Sequence, residues 1–140
     1  MTTAIKHAVG RGAVVVVAAG NEGKSGVSIP GCISYSTTVG AVSSNDVVAS
    51  FSGRGKAVDI TAPGVSIYSS TLGSSYASWS GTSMATPMAA GVAALVKYAH
   101  PAYSHSSVEN ALFTTAQDLG SRGKDVHYGW GRVNAEGAVK

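Results

Sequence analysis

Gly12-Ala13-Val14-Val15-Val16-Val17-Ala18-Ala19-Gly20 is apolar throughout and dense in β-branched side chains. A strand with one wet face alternates apolar and polar residues, so an unbroken apolar run predicts a strand covered on both faces. Such strands belong to mostly parallel sheets flanked by helices, and the stretch therefore predicts an α/β fold. The next residues, Gly20-Asn21-Glu22-Gly23, leave the C-terminal end of that strand. Open α/β sheets hold their ligands at that end.

Upstream, residues 2–9 carry a short helical pattern. Thr2 or Thr3 can cap it, Ile5, Ala8 and Val9 share a face, and Gly10 supplies a stop. Downstream, Thr37–Val42, Val58–Ala62 and Val65–Ser69 read as strands between turn clusters, and Ser74–Ser80 as a polar, aromatic approach segment. Ser83–Ala99 reads as a long helix, small and apolar almost all round, which is the pattern of a core helix. Pro87 falls near its start, where a first turn tolerates proline. Ser106-Ser107-Val108-Glu109 fits a capping box and predicts a helix over 107–116; the last residues predict a short one. With no internal repeat and no linker, 1–140 reads as a single unit.

Composition narrows the function classes. Charged residues make up 12% of the 140-residue chain, about half the usual ~25%. The ten Lys and Arg are scattered singly despite a net charge of +3, which argues against nucleic-acid binding and against a polybasic membrane anchor. Eighteen glycines, against a usual ~7% of residues, point to tight turns and close backbone packing. The run Ala13–Ala19 is far short of the ~18–20 residues of a membrane span. The first residues lack the apolar stretch of a signal peptide. Cys32, the one cysteine, excludes an internal disulfide and reads as a partly buried small residue.

The chemistry concentrates in Gly81-Thr82-Ser83-Met84-Ala85-Thr86-Pro87. A serine stands where a polar loop turns into a buried helix. Two readings are open: Ser83 as a helix N-cap, or Ser83 as a nucleophile whose oxyanion is met by the free N–H groups of the helix start. A serine nucleophile also needs an adjacent base.

The motif Gly81–Pro87 resembles the nucleophile segment of the subtilisin-like serine peptidases, the subtilases. Similar family segments are Val14–Gly23, Ala49-Ser-Phe-Ser52, Asp59-Ile-Thr-Ala-Pro-Gly64 and Gly129-Trp-Gly-Arg-Val-Asn134, in family order across nearly the whole chain. The resemblance implies that Ser83 is the catalytic nucleophile and that Asn21, otherwise a turn residue, donates its amide to the oxyanion beside the Ser83 N–H. An uncharged amide donates without the desolvation cost of a buried charge. The resemblance also sets Gly20 and Glu22 along the pocket that binds substrate. There Glu22 would favour basic or polar side chains; alternatively it is a solvated loop carboxylate. Met84 becomes an oxidation-sensitive neighbour of the nucleophile. Met88 stands where many members carry histidine, at a position read as structural.

Two members of the expected triad are missing. Subtilisin order is Asp, His, Ser, and both earlier motifs belong upstream of the strand bearing Asn21. Asp46, Asp59, Asp118 and Asp125 stand in other contexts. So do His7 on the opening helix, His100 at a helix end, and His105 and His127 in polar loops. The expectation is the C-terminal part of a subtilisin-like catalytic domain, apparently truncated on its N-terminal side. It would be a serine endopeptidase acting on peptide or protein substrates, inactive alone, and completed by an N-terminal segment carrying Asp and His. The alternatives are a non-catalytic peptide-binding relative and a plain structural domain. No cofactor is required and no residue is assigned to a metal. Calcium near Asp59 stays open by resemblance, the other reading of Asp59 being a hydrogen-bonded turn carboxylate. The segment Ile29-Pro30-Gly31 is expected to hold a cis peptide, and family resemblance suggests secretion.

Overall fold

The computed structural model describes residues 1–140. In chain order it has helix α1 (Thr2–Gly10), strands β1 (Val16–Ala18), β2 (Thr37–Val42) and β3 (Ile60–Pro63), the strands β4 (Ile67–Thr71) and β5 (Ser75–Trp79), and helices α2 (Thr82–Ala99), α3 (His105–Thr114) and α4 (Ala135–Ala138). The first three strands form a parallel sheet in the order β1-β2-β3. The α/β class with a helix-flanked parallel sheet is as expected.

The run at 12–20 does not behave as its composition suggests. β1 covers only Val16–Ala18, lies at the edge of the sheet and is half-buried. The strand closed on both faces is β2, all six of whose residues are buried. On one side Val39 and Ala41 join Ile60 and Ala62 of β3 against α2. On the other side loops close the sheet, with the Thr38 hydroxyl donating to the Gly31 carbonyl at 2.6 Å and that of Thr61 to the Gly131 carbonyl at 2.9 Å. β1 has no such cover on its outer edge.

α2 packs on all three strands through Ala85, Ala89, Val92, Ala93 and Val96. Every one of these side chains is an alanine or a valine of small reach, so the helix lies close to the sheet. α3 adds Val108 and Leu112 to the same core. Ile60 and Leu112 are its largest fully buried side chains.

Several local expectations are corrected. α1 has Met1 as its N-cap, without a side-chain bond, and runs through Gly10 to Arg11. The approach segment Ser74–Ser80 contains a strand: Ser75–Trp79 pairs antiparallel with β4, which itself starts at Ile67 rather than Val65. Tyr68 and Tyr76 stack across this hairpin with ring centroids 5.6 Å apart, a cross-strand aromatic contact that substitutes for a core. α3 starts at His105 because the Ser104 hydroxyl, not a box at Ser106, accepts from the Ser107 N–H at 3.1 Å. His105 is thus helical and half-buried, 3.3 Å from Glu109. Pro87 stands in the second turn of α2, and so removes the N–H that would have bonded the Ser83 carbonyl. Cys32 is exposed. The Ile29–Pro30 peptide is cis, as expected.

Candidate active site

Ser83 is the second residue of α2. The N-cap is Gly81, which carries no side chain to satisfy the helix start. The capping reading of Ser83 therefore fails, and the cap comes from elsewhere in the chain. The Asn21 Oδ1 accepts the Thr82 N–H at 2.8 Å and the Thr82 hydroxyl at 2.9 Å. The Thr82 Oγ1 accepts in turn from the Gly20 N–H at 3.2 Å. Thr82, fully buried, thus clamps the loop that leaves β1 to the first turn of α2.

This clamp orients two donors. With its oxygen turned to Thr82, the Asn21 amide leaves its Nδ2 hydrogens without a partner in the chain. In the first turn, Met84 and Ala85 donate to the Gly81 carbonyl and Thr82 donates to Asn21. The N–H left unpaired is that of Ser83. Asn21 and Ser83 also line one cleft, of about 680 Å³, with Gly20, Glu22, Ser28 and Ile29. An exposed hydroxyl flanked by two free donors at a helix N-terminus is an arrangement able to stabilise developing negative charge.

Gly20 has to be glycine. It has φ +102°, and a Cβ there would lie 2.3 Å from Ser28 Oγ and 2.7 Å from Glu22 Oε2. Glu22 accepts from the Ser28 hydroxyl at 2.9 Å and stands on the cleft wall, exposed. The expected site residues Gly20, Asn21, Glu22 and Ser83 therefore all share this cleft. Sequence reasoning missed Thr82 and Ser28. Thr82 was legible as a hydroxyl directly before the nucleophile candidate; nothing local marks Ser28.

A second cleft, of about 370 Å³, flanks Ser83 on the side of the β4–β5 hairpin, lined by Trp79, Met84, Pro87 and Met88 among others. Neither cleft contains a histidine or an aspartate. Asp59 serves the frame: its Oδ2 accepts the Thr38 N–H at 2.9 Å and its Oδ1 the Lys124 ammonium at 2.8 Å. Asp59 is thus a hydrogen-bonded carboxylate of the frame, the other reading its sequence context allowed.

A family model described as "Subtilase family" matches residues 1–131. Subtilisin BL of Lederbergia lenta is 47% identical over 137 residues, 98% of this chain and 50% of the relative. A subtilisin of Bacillus pumilus is 43% identical over 144 residues, covering 100% of this chain and 51% of the relative. An alkaline protease of Shouchella clausii is 47% identical over 98% of this chain and 35% of its own length. The chain thus spans about half or less of the length of these relatives. None of its helices is long and apolar enough to cross a membrane.

Proposed function

The chain belongs to the subtilase family, and on that premise we propose that it supplies the nucleophile and the oxyanion donors of a secreted serine endopeptidase. The observation that carries the reading is the pair of unpartnered donors, Asn21 Nδ2 and the Ser83 N–H, beside an exposed serine hydroxyl on a shared cleft.

In the proposed reaction Ser83 Oγ attacks the carbonyl carbon of a peptide bond and gives its proton to a histidine. The carbonyl oxygen becomes an oxyanion held by Asn21 Nδ2 and the Ser83 N–H. The carbon–nitrogen bond then breaks as the histidine returns the proton to the departing amine, leaving an acyl-serine that water hydrolyses. The histidine and the aspartate that orients it come from an N-terminal segment, since neither cleft at Ser83 holds such residues. Glu22, on the wall of the larger cleft, favours basic or polar side chains before the cleaved bond. No cofactor takes part in these steps.

The test joins the chain, at Met1, to the half of Subtilisin BL with which it does not align, and follows the release of a chromophore from a peptide anilide. Hydrolysis should appear, and vanish with Ser83→Ala. Asn21→Ala should cost about 10²–10³ in turnover, the loss known from removing the oxyanion-binding asparagine of a subtilisin. Full activity of the 140-residue chain by itself, or activity that survives Ser83→Ala, would overturn the proposal.

A further inference from the structure

No charged side chain occurs from Ile60 to Val96. Within that span the β4–β5 hairpin consists largely of serine, threonine and tyrosine. Side chains alternate across a two-stranded sheet. The register Tyr68↔Ser78 and Ser70↔Tyr76 therefore sets these four residues on one face, and Ile67, Ser69, Ala77 and Trp79 on the other. The second face lines the cleft of about 370 Å³ with Met84 and Met88 of α2; Tyr68 and Ser70 border it. The first face is open to solvent at all four positions, with Tyr68 72% exposed and Tyr76 65%.

Single apolar residues on a surface need no explanation. These two tyrosines are different, because they stack on each other with their planes 17° apart. The contact fixes both rings, so little rotamer freedom remains to be lost when something settles on them. The hydroxyls beside the rings are also unused. Within the hairpin and at its base, side-chain hydrogen bonds involve Ser75 and Ser80; those of Tyr68, Ser70, Tyr76 and Ser78 have no partner in the chain.

The chemistry of this face selects its occupant. Flat apolar rings suit a partner with flat C–H surfaces. Free hydroxyls at their margin suit a partner with donors and acceptors along its edge. A span without charge offers nothing to a phosphate, a carboxylate or an ammonium group. A neutral chain of β-linked pyranose rings has C–H bonds on its faces and hydroxyls round its rim, and so matches all three. An aromatic peptide side chain would use the rings and leave the hydroxyls idle. We propose that the outer face of the hairpin, Tyr68, Ser70, Tyr76 and Ser78, is a platform for a neutral polysaccharide. The platform does not depend on the peptidase reading, since none of its residues takes part in the reaction at Ser83.

Amide NMR of the 140-residue chain titrated with cellohexaose tests the platform, with retardation of the chain in native gels containing hydroxyethyl cellulose as a second readout. Shifts should concentrate at Tyr68–Ser70 and Tyr76–Ser78 and should persist in about 0.5 M sodium chloride, where exposed charges are screened. Tyr68→Ala and Tyr76→Ala should each weaken binding roughly two- to tenfold, the range of one aromatic contact. Tyr68→Phe should lose less than Tyr68→Ala, and Trp79→Ala, on the opposite face, should lose nothing. Because loss of a tyrosine also removes the stack, the shift map of the unaltered chain stands as an independent check. No binding, shifts centred on Ser83, loss of binding in salt, or equal loss with Trp79→Ala each overturns the platform. So do indifference to both alanine substitutions and, by sedimentation, a homodimer that Tyr68→Ala dissolves.

Discussion

Thr82 does more at this site than its place in the motif announces. Its hydroxyl donates to Asn21 Oδ1, accepts from the Gly20 N–H, and is shut away from water. Thr82→Val keeps the shape and deletes both bonds. A buried donor left unsatisfied costs about 1–3 kcal/mol, so urea unfolding should show a loss of that size. Turnover of the joined enzyme should fall as well, because the backbone N–H of residue 82 is then the one donor left to hold the Asn21 amide the right way round. An unchanged unfolding midpoint would mean that the clamp is ornamental. This detail was only half legible in advance. Asn21 and Ser83 stand in recognisable surroundings, but the side-chain bond between Asn21 and Thr82 links residues 61 apart, and no local pattern encodes such a pairing.

At the scale of elements, the loop from Gly120 to Tyr128 is organised around one carboxylate. Burial of Asp125 works to raise its pKa. The N–H groups of Tyr128, His127 and Ser121, with the charge of His127, outweigh that and hold the group below its ordinary value of 3.8. A carboxyl depressed on folding stabilises the folded chain above the unfolded pKa and loses that contribution as pH falls through the folded one. Acid titration of thermal stability should therefore show a decline below about pH 4 that Asp125→Asn flattens; identical acid profiles for the two proteins would refute this. The element boundaries show where local pattern misleads. The valine run predicted a doubly covered strand, yet β1 is the edge strand and β2, which contains two threonines and a glycine, is the enclosed one. Composition reports what a strand tolerates, whereas its place in the sheet depends on neighbours. Ser104 rather than Ser106 caps α3 for a similar reason: Ser104, Ser106 and Ser107 compete locally, and packing of Val108 and Leu112 into the core selects the register.

The whole molecule carries a modest core built around one sheet and one helix. Leu112 is fully buried there with Ile60, Val96 and Val108. Leu112→Ala should cost about 2–5 kcal/mol, a large part of the ~5–15 kcal/mol typical of a domain. Denaturant midpoints would register the loss, and a shift below about 1 kcal/mol would mean that the site collapses around the missing atoms. The architecture at this scale was readable from the order of apolar segments. The open outer side of α2 was not, because composition alone marks the helix as buried on every side.

The Thr82 clamp divides labour in a way that bears on how such a molecule can diversify. The atoms that would align the reaction are locked into the frame through a buried hydroxyl, whereas the wall beside them is built from exposed side chains, Glu22 and Ile29. Exchanging the wall does not disturb the frame. Preference for one bound side chain over another is therefore free to drift at little risk to chemistry, and libraries that randomise Glu22 and Ile29 while leaving Thr82 alone are the economical route to new selectivities.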